Sequence, residues 1–349
     1  MPVKIFGTVL SHGVKGRALT QEAFRTLAES RDTDELVTRM KNTVYLDALT
    51  KMTKPYSAEK IEGALREYLV NSHYKMVSVT GGSGVLRAYF VRYITWNLKL
   101  VLKGKALGRV SEEVVPGINL RAEELLGRRD IIVKAMVAKT LDEAAAALAG
   151  SEFGEDASKA VAPYKDKGDL RVFDVFIDHV FYRGLGRALA LESQSPGVKN
   201  IVAIDLDSYN ILAVLRGKYW NLAANEIEGL IVSTTSTMPR ESLQKMVNAE
   251  NIHEAMSELS ATIYKEIVPQ GGSGADDISS IVTLESGFET LQLRRIGSAF
   301  RATFSVGTMV AALKLMTLEV RNLSAIASGV EQKVPVEKIL ANIIRMPSS

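Results

Sequence analysis

The chain has 349 residues, of which 43 are Lys or Arg, 40 are Asp or Glu and none is cysteine. A net charge of +3 argues against a nucleic-acid-binding protein, because affinity for phosphate backbones depends on excess basic charge. The absence of cysteine excludes disulfides, thiol nucleophiles, and zinc or iron–sulfur sites built from cysteine. The four histidines lie far apart in the sequence. We therefore predict no metal site, and the length allows two or three domains.

Helix-forming residues dominate the chain and predict an all-α protein. Proline is scarce, at nine residues, and residues 141–148 (LDEAAAAL) form a run of high helix propensity. Segments 200–206 and 278–284 are rich in Val and Ile, but no alternating partner segment accompanies them, so helices are favoured there too. The helices are separated by breaks at Pro116-Gly117, Ser195–Gly197, Gly81–Gly84 and Gly271–Gly274.

We identify no signal peptide and no membrane-spanning segment in the sequence. The N-terminus lacks the apolar core and small-residue cleavage site of a signal peptide. The most apolar stretch, Ala302–Val320, is interrupted by Lys314 and three threonines. We therefore expect a soluble protein.

A motif of the form Asn-x6-Gly occurs three times, at offsets of 113 and 112 residues. We expect each glycine to end a helix in the left-handed conformation, which glycine adopts most freely. We interpret each asparagine as a buried hydrogen-bonding residue that ties one helix to the next, with contact to a partner protein as the alternative. The three copies are Asn97…Gly104, Asn210…Gly217 and Asn322…Gly329.

A second motif lies upstream of the first in each third of the chain. It places a polar residue three positions before a glutamate and an aromatic residue ten positions after it. This spacing predicts a capping box, in which the polar side chain accepts the glutamate N–H and the glutamate bonds back to the cap N–H. The three sets are Asp32, Glu35 and Tyr45; Thr140, Glu143 and Phe153; and Asn251, Glu254 and Tyr264.

Two motifs in the same order three times indicate internal repetition. The predicted repeats cover residues 1–118, 119–231 and 232–349. Units of this length exceed those of solenoid proteins, which run to about 50 residues. We therefore predict three homologous helical subdomains in a compact three-lobed body with a concave centre.

The repeat segments resemble a known family. Residues 204–217 (IDLDSYNILAVLRG) and 318–323 (LEVRNL) are similar to the acidic-x-x-Asn-(Leu/Ile)…Gly motifs of the C subunit of archaeal and vacuolar-type ATP synthases. That family includes the d subunit of the eukaryotic vacuolar ATPase. Residues 14–19 and 148–154 are similar to other stretches of the family, and the resemblance extends from about residue 8 to residue 345.

The resemblance implies a non-catalytic rotor component without a cofactor. It implies a pseudo-three-fold funnel of all-helical lobes on the cytoplasmic face of the membrane, bound peripherally to the proteolipid ring. The D and F subunits of the central stalk would enter its cavity, and torque would pass through it. The first repeat departs from the pattern, with Ile94 where the others have Asp207 and Glu319. Equal polar contacts from the three lobes are therefore not expected.

Other functional classes remain open at this point. An all-α enzyme could use His179 or the acidic residues Asp205, Asp207 and Asp276-Asp277, but we interpret His179 as a partly buried, hydrogen-bonded residue and the acids as dipole-facing or solvent-facing. The Gly-Gly-Ser-Gly stretches lack the Lys-Ser/Thr of a phosphate-binding loop. The basic residues Lys99, Lys103, Lys105 and Arg109 are interpreted as a solvated face, with a partner or lipid interface as the alternative. A general helical scaffold is the closest rival to the rotor adaptor.

Overall fold

The computed structural model describes residues 2–192, 197–234, 237–269, 276–302 and 304–344, without the side chains of residues 2–4. Within these ranges every regular element is a helix, which confirms the all-α prediction. Residues 200–206 and 278–284 are helical, as expected from the absence of a partner strand. The Gly271–Gly274 stretch lies outside the described residues.

Nineteen α-helices and three short 3₁₀ turns are found in the described ranges. The helices are α1 (Pro2–Gly16), α2 (Gln21–Ala28), α3 (Thr33–Met40), α4 (Leu46–Thr50), α5 (Ala58–Val79), α6 (Gly84–Ala106), α7 (Ser111–Val114), α8 (Arg121–Leu125), α9 (Arg129–Val137), α10 (Leu141–Ala147), α11 (Gly154–Lys167), α12 (Arg171–Glu192), α13 (Val198–Tyr219), α14 (Ala224–Glu228), α15 (Arg240–Asn248), α16 (Ile252–Ser257), α17 (Asp277–Ala299), α18 (Val306–Glu331) and α19 (Val336–Ala341). The 3₁₀ turns are Val115–Gly117, Glu258–Ala261 and Lys265–Ile267.

The helix ends follow from local sequence. Ser57 begins α5 with an extended backbone, and its hydroxyl accepts the N–H of Lys60 at 3.2 Å. Gly81 and Gly82 have φ values of 68° and 89°, so the chain can turn between α5 and α6 in a conformation that other residues avoid. The predicted break at residues 81–84 is therefore confirmed.

The chain divides into two compact units. Unit 1 combines the two ends of the chain, Met1–Leu86 and Leu293–Ser349. Its central element is α18, which packs against α1, α2, α3 and α5. Residues 309–313 of α18 (MVAAL) are all at most 3 % exposed. A helix apolar around its whole circumference suits this central position.

Unit 2, Arg87–Gln292, contains two hydrophobic clusters. One joins α6 to α9, α10, α11 and α12, with Phe153 and Phe173 fully buried. The other joins α13 to α15, α16 and α17 around Tyr264 and Phe288. Each cluster includes residues from both sides of a predicted repeat boundary, at 118 or 231. The boundaries themselves, and the pseudo-three-fold funnel, stay predictions.

Candidate functional site: recurring contacts between helices and return segments

Each of the three motif asparagines makes the same pair of hydrogen bonds. Its Nδ2 donates to the carbonyl of the residue 22 positions later, and its Oδ1 accepts the N–H of that residue, at 2.8–3.2 Å. We call this arrangement the asparagine bracket. All three side chains are buried, so no exposed amide is available for a partner protein. The pairs are Asn97 with Asn119, Asn210 with Val232, and Asn322 with Ile344.

The predicted capping role of the motif glycines is wrong. Gly104, Gly217 and Gly329 lie inside the last turns of α6, α13 and α18, and none has a positive φ. A Cβ on any of them would lie 2.5–2.8 Å from a side-chain carbon of the residue ten positions later. The residues in contact are Val114, Ile227 and Ile339. Glycine is required because the chain returns and packs directly on the helix.

The left-handed residue occurs four positions after each motif glycine. Gly108, Asn221 and Lys333 have φ values of 68°, 56° and 55°. In each case the next residue donates its N–H to the carbonyl of the motif glycine, at 2.8–3.0 Å. This six-to-one hydrogen bond is that of a Schellman motif. The predicted helix ends are correct, and the left-handed residue lies one turn later than predicted.

The predicted capping boxes are present in an altered form. Asp32, Thr140 and Asn251 accept the N–H of Glu35, Glu143 and Glu254, at 2.8–3.2 Å. Each glutamate carboxylate, however, accepts the N–H of the residue before the cap, at 2.7–3.1 Å. The prediction of a bond to the cap N–H itself is wrong. The carboxylate reaches one residue further and fixes the chain that enters the helix; the donors are Arg31, Lys139 and Glu250.

Buried carboxylates bind the aromatic residues of the upstream motif in two places. In unit 2, Oδ2 of Asp207 accepts the Tyr264 hydroxyl at 2.7 Å and the N–H groups of Thr237 and Met238 at 2.9 Å. In unit 1, Glu319 accepts the Tyr45 hydroxyl at 2.7 Å and the Leu19 N–H at 2.9 Å. The interpretation of Asp207 as solvent-facing is therefore wrong.

At the remaining pair of equivalent positions, both the acid and the tyrosine are replaced by apolar residues. Ile94 takes the acidic position and Phe153 the aromatic one, and both are buried in the same cluster of unit 2. An acid at 94 would have no hydroxyl donor on Phe153, and a tyrosine at 153 would have no acceptor on Ile94. The joint replacement of the acid and the tyrosine is visible in the sequence. The two positions are far apart in the chain, however, so the sequence does not indicate that they are partners.

Glu123 is a buried carboxylate with incomplete hydrogen bonding. Its Oε1 accepts from Nδ2 of Asn97 at 2.7 Å, whereas Oε2 has no partner among the described residues. Burial raises the pKa of Glu123 above its ordinary value of 4.5, and the hydrogen bond from Asn97 opposes this shift. A raised carboxyl pKa means that the folded state prefers the protonated form.

We expect Glu123→Gln to stabilise the protein at neutral pH. The contribution of a raised carboxyl pKa is fully present below pH 4.5 and is lost as the pH rises through the folded-state pKa. The neutral amide keeps an oxygen for Asn97 and avoids the buried charge. Chemical denaturation at several pH values between 4 and 8 should show a higher stability and a shallower pH dependence for the variant. Glu124→Gln, next to it and exposed, is the control; an equal gain there would contradict the prediction.

The residues considered for catalysis or metal binding are held in structural contacts. His179 is 8 % exposed, and its Nε2 donates to the Leu230 carbonyl at 3.0 Å. Burial lowers its pKa, which favours the neutral ring. Asp205 accepts the Tyr89 hydroxyl. In the described ranges, no three His, Asp or Glu side chains are placed to hold a metal ion.

Two lysines of the basic segment, Lys99 and Lys103, are paired with acids of α12. Nζ of Lys99 lies 2.9 Å from Asp178, and Nζ of Lys103 lies 2.6 Å from Asp174. The Lys99 side chain is only 16 % exposed. The interpretation of a solvated basic face is therefore wrong for these two lysines, whose charges link α6 to α12.

Comparison with known proteins gives a consistent result. The ATP synthase (C/AC39) subunit family matches residues 8–342 of the chain. The chain is similar to the C subunit of the A-type ATP synthase of Pyrococcus abyssi, at 28 % identity over 93 % of this chain and 86 % of the relative. It is also similar to the proteins of the same name in Methanocaldococcus jannaschii, at 23 % identity over 92 % and 81 %, and in Methanothermobacter thermautotrophicus, at 26 % over 89 % and 80 %.

The contacts and the comparisons together define an all-helical protein in which asparagine brackets join three long helices to the segments that follow them. No helix in the described part of the chain has the length and apolar character needed to cross a bilayer. The chain belongs to the ATP synthase (C/AC39) subunit family.

Proposed function

We propose that this protein is the non-catalytic adaptor of a rotary ATP synthase or ATPase, joining the central stalk to the membrane ring. Its partners would be the D and F subunits of the stalk on one side and the proteolipid ring on the other. It would lie on the cytoplasmic face of the membrane as a peripheral component. The observation that carries the proposal is the family match over residues 8–342.

The recurring contacts support a mechanical role. A part that transmits torque has to resist twisting, and resistance comes from short, buried, directional links between its elements. Asparagine brackets of this kind hold α6, α13 and α18 to the segments that follow them. The buried acid–tyrosine pairs add a second link on α13 and α18.

The contacts of His179 and Asp207 do not support the alternative of an all-α enzyme. His179 and Asp207 are the strongest candidates for acid–base chemistry, and both are occupied by backbone or tyrosine partners. A general base has to reach a substrate proton. Neither side chain is placed on an exposed surface, since their exposures are 8 % and 0 %.

Bridging of the two partners tests the proposal. Purified D–F complex is mixed with the detergent-solubilised proteolipid ring, with and without this protein, and the ring is captured. We expect D and F to be retained only when this protein is present. If the captured ring retains neither this protein nor D and F, the proposal is overturned. If the ring retains this protein without D and F, the proposal is also overturned, and a scaffold with other partners is favoured.

A further inference from the structure

An apolar patch is exposed on unit 1, beside the N-terminus of the chain. Ile5, Phe6 and Val9 lie on the outer face of α1 and are 48 %, 52 % and 65 % exposed. Phe304, in the turn between α17 and α18, is 51 % exposed, and its N–H donates to Oγ1 of Thr8 at 3.1 Å. We refer to these four side chains as the apolar patch.

The opposite face of α1 fixes the orientation of the patch. A Cβ on Gly7 would lie within 2.6 Å of the Met309 side chain, so α1 and α18 are in close contact there. Thr8 and Ser11 are buried on the same side. This packing leaves Ile5, Phe6 and Val9 on the opposite, exposed side of α1.

The backbone of Phe304 is unusual for an exposed residue. Its φ is 56°, a left-handed conformation that bulky aromatic residues rarely adopt. Asn221 and Lys333 share this conformation, but each of them ends a helix through a Schellman motif. A strained residue that presents its ring to solvent points to a contact outside the chain.

The two chain segments that carry the patch contain basic residues and no acids. Residues 1–18 contain three Lys or Arg and no Asp or Glu, and residues 293–318 contain four and none, although the whole chain is nearly balanced. Nζ of Lys15 lies 5.4 Å from the centre of the Phe300 ring, four residues before Phe304. Arg301, in the same turn, is exposed. Lys15 and Arg301 therefore place two basic groups at the α17–α18 turn, which also carries Phe304.

We propose that this face of unit 1 binds the surface of an anionic lipid membrane. The apolar patch enters the interface between headgroups and acyl chains, and Lys15 and Arg301 contact lipid phosphates. Interfacial helices combine apolar side chains with Lys and Arg in this way, and basic residues are attracted to anionic leaflets. The rims of protein interfaces are polar, whereas the two segments that carry the patch contain basic groups and no acids, which favours an anionic surface. The inference goes beyond the proposed function, since it requires neither stalk nor ring.

Flotation with lipid vesicles tests the proposal with the full-length protein alone. We expect binding to vesicles of phosphatidylglycerol and phosphatidylcholine, weakening as salt is raised, and little binding to pure phosphatidylcholine. Phe304→Gly should weaken binding about tenfold, equivalent to about 1.4 kcal/mol. Glycine accepts a positive φ without strain, so we expect the variant to stay folded. Arg301→Glu should also weaken binding, and more strongly at low salt.

Matched controls lie in unit 2. Leu191→Ser removes an apolar side chain that is 87 % exposed, and Lys134→Glu reverses an exposed charge. Both should bind vesicles as the unaltered chain does. The proposal is overturned if the protein does not float with anionic vesicles, or if Phe304→Gly and Arg301→Glu float as well as the controls. It is also overturned if these two variants fail only to bind the stalk or the ring, because the face would then be a protein contact.

Discussion

Replacing Asp207 with alanine is expected to lower the free energy of unfolding by about 3–5 kcal/mol. One carboxylate oxygen accepts three hydrogen bonds, from the Tyr264 hydroxyl and from two backbone N–H groups. Asp207 is fully buried, so its removal leaves these donors away from bulk water. Buried donors without partners carry the full cost of their desolvation. Urea denaturation followed by far-UV circular dichroism would measure the change.

Two further variants separate the contributions to this effect. Asp207→Asn keeps a neutral oxygen for the three donors, so we expect a smaller loss than with alanine. Tyr264→Phe in the Asp207→Ala background removes one of the unsatisfied donors and should cost less than it does in the unaltered chain. Ile94→Val, at the apolar counterpart, should cost about 0.5–1.5 kcal/mol. If Asp207→Ala costs no more than Ile94→Val, the carboxylate is not the link that the structure indicates.

Gly217→Val is expected to destabilise the protein by about 2–3 kcal/mol, through overpacking. A Cβ at this position would lie 2.8 Å from Cγ1 of Ile227 and 3.3 Å from Cδ1 of Leu230. The segment that carries Ile227 and Leu230, or the end of α13, would therefore have to move. Thermal unfolding should show a lower midpoint for the variant.

Gly184 provides the matched control in the same unit. It lies within α12, and a Cβ there would have no neighbour within 4 Å. Gly184→Val should change the stability by no more than about 0.5 kcal/mol, because only helix propensity differs. Adding Ile227→Ala to Gly217→Val should cost less than Ile227→Ala alone, since the clash is relieved. Equal losses at Gly217 and Gly184 would show that close packing is not the reason for the glycine.

Local patterns were the most predictable part of the structure. The caps Asp32, Thr140 and Asn251 accept the N–H groups expected of them, because donor and acceptor are three residues apart on one helical turn. The motif glycines were placed in the correct turn but given the wrong role. Helix periodicity locates a glycine near the end of a helix and says nothing of what packs on it ten residues later.

The partners of the buried acids were not predictable from the sequence. Tyr45 and Glu319 are 274 residues apart, yet they share a hydrogen bond within unit 1. Reading along the chain would pair each aromatic residue with groups in its own repeat. The structure pairs the upstream motif with the asparagine-bearing helix of the preceding copy, and for the first copy that helix is α18 at the end of the chain.

The nearly balanced charges of the chain are unevenly distributed. Lys99 and Lys103 are paired with acids of α12, whereas residues 1–18 and 293–318 carry basic groups alone.

The sequence by itself determined the all-α class, the helix starts and the two recurring motifs, since these depend on contacts within one or two helical turns. Only the tertiary structure decided which residues the asparagines, glycines and acids contact. Those contacts depend on the path of the chain between distant segments, which no local pattern encodes.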